Sequence, residues 1–107
     1  MPEQKKTRRQ MLEEFVATKP DDSFSRYGLA MECMNSGDPT AADTHFRALI
    51  DRHADYIPAY LMYGQLLARE SRSEEARQIL SSGIRAATKK GDEHARSEME
   101  TLLNELP

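Results

Sequence analysis

The sequence has no tryptophan and a single cysteine, and its five glycines never cluster. One cysteine excludes an internal disulfide and any zinc site built from several thiolates. Isolated glycines exclude a glycine-rich loop of the kind that cradles phosphate. No apolar run approaches the roughly 18 residues of a membrane-spanning helix, and the basic N-terminus is not followed by an apolar stretch of signal-peptide length. The cytoplasm is therefore the expected location, with no membrane contact. A net charge of −3 argues against a general nucleic-acid binder. What is present is a chain of 107 residues, 31% of them charged, long enough for one domain with a small core.

That domain is organised around Ile57 to Ala87, IPAYLMYGQLLARESRSEEARQILSSGIRAA. Leu61, Gly64, Leu67 and Ala68 recur at helical spacing in its first half. Ala76, Ile79, Leu80, Gly83, Ile84 and Ala87 do so in the second. The polar run Arg69-Glu70-Ser71-Arg72-Ser73 joins them. A glycine inside a helix costs about 1 kcal/mol relative to alanine, so Gly64 and Gly83 read as packing residues rather than helix formers. Gly64 and Ala76 sit midway along their apolar stripes, where two antiparallel helices would approach backbone to backbone.

Sliding the chain against itself by 34, the separation of Ala30 and Gly64, lays Gly64 on Ala30, Ala76 on Ala42, Leu80 on Phe46 and Ile84 on Ile50. Leu67 falls on Cys33 and Tyr63 on Leu29. A fixed period of this length marks an array whose units bury their faces by stacking. Small residue, small again twelve places on, large apolar four after that: the pattern resembles the tetratricopeptide repeat (TPR) family. The second unit carries Tyr60, Tyr63-Gly64, Leu67, Ala76 and Leu80, and the first Leu29-Ala30, Cys33, Gly37, Ala42 and Phe46. Arg26 departs from the family pattern in place of an aromatic, Leu49 and Gly83 in place of alanine, and Ala54 in place of proline. The resemblance implies an all-α fold, a right-handed TPR solenoid of antiparallel helix hairpins. Two full repeats (23–56 and 57–90) lie between an N-terminal half-repeat helix (7–18) and a C-terminal capping segment (91–107).

Taken in order, Met1–Gln10 carries Lys5, Lys6, Arg8 and Arg9 against Glu3, a net +3, and reads as a solvated, frayed lead-in. Met11, Leu12, Phe15 and Val16 then make a one-sided helix stopped before Pro20. Shifted by the same period, Leu12 falls on Phe46 and Phe15 on Leu49, so this is the second helix of a unit whose first helix is missing. Helices are expected near 23–36, 39–52, 57–70, 73–90 and 92–105. Asp21-Asp22-Ser23, Asp38 and Ser73 are the expected caps, with Pro39 opening a helix and Gly37 and Gly91 ending helices. The last helix puts Glu98 in the register place of Gly64. With no second helix after it, that glutamate is expected to face water as part of a solenoid cap.

Catalysis has no constellation to stand on. His45, His53 and His94 lie on different segments without metal-ligand spacing, and Cys33 falls at a repeat core position. Glu74-Glu75 and Asp21-Asp22 sit at helix starts, where capping explains them. No enzyme activity, cofactor or metal is expected. In the TPR fold the first helices of successive units line a concave groove, which makes the leftover first-helix positions candidates for a protein or peptide partner. These are Phe24, Tyr27, Met31, Met34 and Asn35 in the first unit, and Leu61, Met62, Gln65 and Arg69 in the second. The cap adds Arg96 and Met99. Methionines and aromatics suit an adaptable surface for an apolar or helical ligand. The TPR clamp that grips acidic chaperone tails would need its basic and amide residues where Tyr27, Met31, Met62, Asp92 and Arg96 stand; only Arg96 fits, so that ligand is not expected. The alternative to groove binding is a structural self-association module, a homo-oligomer (a homodimer that completes the repeat stack) with no separate peptide ligand, since two full units are below the usual minimum of three. The tail from Asp92 onward has net charge −4, opposite to the lead-in, which permits head-to-tail contact.

Overall fold

A computed structural model describes residues 5–107, so the first four residues of the basic lead-in lie outside the described part. Six helices follow one another: α1 (Arg8–Thr18), α2 (Ser23–Asn35), α3 (Pro39–Arg52), α4 (Ile57–Arg69), α5 (Ser73–Lys90) and α6 (Glu93–Glu105). Every helix end falls within one residue of its expected place, and no strand occurs among the described residues.

Local chemistry explains most of these boundaries. Thr7 and Gln10 form a reciprocal capping box on α1, with Gln10 N donating to Thr7 Oγ1 at 3.1 Å and Thr7 N to Gln10 Oε1 at 2.8 Å. Asp22, Asp38 and Asp92 each accept a hydrogen bond from a backbone N–H three residues on, and Pro39 opens α3. The expected Ser73 cap is corrected. Arg72 occupies the cap position of α5 without a side-chain cap bond, and Ser73 is already helical. Arg72 instead turns its guanidinium onto Glu75, whose carboxylate it contacts at 2.6 Å.

Gly37 and Gly91 end α2 and α5 with φ of 79° and 76°. Ser71, one period after Gly37, adopts the same left-handed turn with φ 61°. The hydrogen bonds match: Asp38 N donates to Cys33 O at 2.9 Å, and Arg72 N to Leu67 O at 2.8 Å. The repeat therefore imposes a left-handed residue at this place, and the second unit meets it with a side chain that strains there.

The helices pair as α2 with α3 and α4 with α5, while α1 packs on α2, and α6 packs on α5 and α4. The particle is elongated, 54 × 28 × 20 Å, as an array of stacked hairpins should be. Leu29, Ala30, Cys33, Ala42, Phe46, Leu49, Tyr63 and Leu67 are buried in one cluster, and Tyr60, Leu80, Ala87 and Met99 in another; Ile50, Ile79 and Leu106 touch both. A Cβ on Gly64 would stand 2.8 Å from Leu80 Cγ, so the glycine is what lets α4 and α5 close. Where the two units meet, Tyr63 stacks on Phe46 with ring centroids 5.6 Å apart. Its hydroxyl donates to Asp43 Oδ1 at 2.5 Å and accepts from Arg47 Nη2 at 2.7 Å. Burial, and then the Asp43 carboxylate, push the Tyr63 phenol well above its ordinary pKa. It stays a neutral hydrogen-bonding pin between repeats.

Candidate functional site

The first-helix residues expected to form a single groove are sorted by the fold into three groups. Met34 and Met99 belong to the core. Met34 is 6% exposed and Met99 fully buried, its sulfur 2.5 Å from where a Gly83 Cβ would lie. The glycine at that position gives the methionine its seat, so both residues are withdrawn from the candidate surface. Tyr27 and Met62 are half-buried. Tyr27 sets its ring against Phe46 and Tyr56, with centroids 6.4 and 5.4 Å away, and Met62 packs on the main cluster. They support the surface more than they display it.

Five of the remaining residues, together with Tyr27, line two separate depressions. Phe24, Tyr27, Met31 and Asn35 of α2 join Gly28, Glu32 and Arg8 around one of 510 Å³. Leu61 and Gln65 of α4 face His94, Ser97, Glu98, Thr101, Leu102 and Glu105 of α6 around another of 350 Å³. Arg69 is exposed and lines neither. Arg96 is engaged within its own helix, donating to Glu93 at 2.5 Å and Glu100 at 2.7 Å, which pulls the Glu93 carboxyl below its ordinary pKa.

A third depression, of 540 Å³, adjoins the first and shares Arg8, Phe24 and Gly28 with it. Met11, Leu12, Phe15, Asp22 and Ser25 complete its lining. Phe24, Met11 and Phe15 are 77%, 53% and 46% exposed, and they are the large apolar side chains most open to water among the described residues. Because α1 is a second helix of the repeat, none of its residues falls at a first-helix position. The signal was nonetheless in the period: Leu12 shares a register place with buried Phe46 and Phe15 with buried Leu49, yet here Leu12 is only partly covered, against Gly28 of α2, and Phe15 stays exposed.

The described side chains at these surfaces make packing contacts and ion pairs. Cys33 is buried, and burial raises its thiol pKa, the reverse of what a nucleophile needs. Among the described residues no group of three or more His, Cys, Asp or Glu side chains is placed to hold a metal ion. None of the described helices is long and apolar enough to cross a membrane.

Solved structures share this architecture. The crystal structure of a tetratricopeptide repeat domain protein from Salinibacter ruber aligns with a TM-score of 0.75 at 28% identity, covering 79% of this chain and 94% of that one. Its solution structure gives 0.77, also at 28% identity, over 82% and 89% of the two chains. A solution structure of a protein from Bordetella parapertussis reaches 0.81 at 27% identity, over 95% and 89%. The chain is a small TPR-type domain. No protein-family model matches it, and neither does any curated protein. The TPR-type fold is in general that of a protein-interaction module, and TPR domains are typically non-catalytic scaffolds.

Proposed function

We propose that this TPR-type domain holds a protein partner, a peptide or an amphipathic helix, on the outward side of α2. The observation that carries the reading is the 510 Å³ depression, in which Phe24, Tyr27 and Met31 present an apolar floor flanked by Arg8, Glu32 and Asn35. Two rigid aromatics and a flexible thioether supply contact area at low entropic cost, and the charged and amide groups at the edge orient a backbone. Tyr27 is held in place by Phe46 and Tyr56, so the floor is formed before any ligand arrives. The depression between α4 and α6 is a poorer candidate, since His94, Glu98 and Glu105 leave it largely polar.

Affinity selection from a displayed library of helical peptides tests this reading. Met31→Glu should weaken a selected peptide about ten-fold, because a central contact residue is worth on the order of 1–2 kcal/mol. The helical circular-dichroism signal should stay intact. Peptides that bind Met31→Glu as tightly as the parent would place the partner surface elsewhere.

A further inference from the structure

The two ends of the array are both half-units, yet they are finished differently. At the C-terminal end the places on α6 that would face a second helix hold His94, Ser97, Glu98 and Thr101, all exposed, with Glu98 paired to His94 at 2.6 Å. At the N-terminal end, α1 turns outward Met11, Phe15 and part of Leu12, and α2 adds Phe24. In the complete units, the matching places of Leu12 and Phe15 are Phe46 and Leu49 in α3, and Leu80 and Gly83 in α5. All four are buried, held between the first helix of their own unit and that of the next: Phe46 meets Tyr27 and Tyr63, and Gly83 meets Tyr60 and Met99, whereas α1 has only the second of these neighbours, α2, among the described helices. The N-terminal edge is thus a repeat interface cut in half.

We propose that this edge is the face of a two-fold homodimer in which α1 and the start of α2 of one copy cover the same surface of a second copy. The alternative within one sequence is head-to-tail stacking. It would bury His94, Ser97, Glu98 and Thr101 against Met11 and Phe15, leaving polar groups unpaired against apolar ones. Glu98 would also stand where the hairpin needs a residue as small as Gly64. An isologous contact sets apolar against apolar and closes after two copies, with no open chain.

The charges around the edge favour a copy of the same surface. Lys5, Lys6, Arg8, Arg9 and Lys19 stand among Glu13, Glu14, Asp22 and Glu32, five basic and four acidic groups that nearly balance. Lys6 pairs with Glu14 at 2.8 Å, Arg8 with Glu32 at 3.3 Å and Arg9 with Glu13 at 3.5 Å. Such a nearly balanced rim does not repel its twin, and a strongly acidic or basic partner would gain little from it. Met11 and Phe15 line only this edge, while Met31 and Asn35 line only the neighbouring depression, so the dimer does not depend on the peptide reading and the two are separable by mutation.

Sedimentation velocity of the full chain from micromolar to millimolar concentration tests the dimer. The expected result is a monomer–dimer equilibrium with no larger species. The pair Met11→Glu and Phe15→Glu should raise the dissociation constant about 100-fold, ten-fold for each central side chain replaced, with the helical signal unchanged. Because these two side chains are already half exposed, the variant should fold; Met11→Ser with Phe15→Ser is the milder check that it does. Ser97→Arg with Thr101→Arg on α6 should leave the dimer untouched. A monomer over the whole range would overturn the proposal. So would oligomers that grow with concentration, or a dimer that the α6 variant dissociates and the α1 variant does not.

Discussion

At the register place of Gly64 the C-terminal half-unit carries Glu98, and at that of Leu49 the N-terminal half-unit carries Phe15. The first exchange swaps a buried glycine for an exposed acid, and the second keeps a large apolar side chain that the described helices leave exposed. Both ends face the same physical problem, since a repeat unit cannot bury its apolar face alone. One end meets it by changing composition, with polar residues in the places of the interface. The other leaves the face apolar and so retains a driving force for contact. A half-repeat is therefore not automatically a cap; the side chains at the missing interface decide whether the array is finished there.

Paired substitutions at matched places test this contrast, and the largest effect belongs to the helix crossing itself. Gly64→Leu should destabilise by roughly 3 kcal/mol, because its side chain must occupy the space of Leu80. Glu98→Leu, in the same register, should change stability by less than about 0.5 kcal/mol, as an exposed site does. Urea melts of both variants check the pair. Equal costs would mean that the cap end is packed like the interior.

A smaller effect separates the two complete units at their left-handed turns. Ser71→Gly should stabilise by about 1 kcal/mol, since glycine removes the strain of a positive φ. Gly37→Ser should cost a similar amount, measured in the same melts. If Ser71→Gly were neutral, the turn of the second unit would be less constrained than its match to the first indicates.

His45 occupies the place that Met11 holds at the open edge, one period earlier. Its Nδ1 is buried without a hydrogen-bond partner among the described residues, and burial, with Arg26 and Arg9 adding to it and Glu13 opposing, lowers the ring's pKa below the ordinary 6.5. The sign follows from linkage. Above about pH 6.5 both folded and unfolded rings are neutral, and the full stability is present. As pH falls below that value the unfolded ring takes up a proton first, so stability drops until the lower folded pKa is reached. His45→Met should flatten the fall in urea midpoint as pH drops below about 6.5. An unchanged profile would assign the fall to other groups. The slightest effect is expected at the cap. Breaking the exposed His94–Glu98 pair with His94→Ala should shift the melt by at most a few tenths of a kcal/mol, in keeping with ordinary surface pairs.

Sequence alone determined the six helices, their ends to within a residue, the period of 34 and the contrast between Gly64 and Glu98. Those features are written locally, in cap residues, in glycines after helices and in apolar spacing that repeats, and each is legible without knowing what lies opposite. Cap chemistry was less legible at α5, where Ser73 had the right side chain but Arg72 the right place, because a serine only caps if the chain has not yet turned helical. Tertiary structure alone decided which first-helix residues are surface. Met31, Gln65 and Met99 share one register place, yet Met31 lines an open depression, Gln65 is exposed and Met99 is fully buried. The difference lies in their neighbours: Gly83 and Tyr60 make a seat for Met99, and no described helix closes over Met31. Burial is a property of the space between elements, and a period in one chain specifies the elements before it specifies that space.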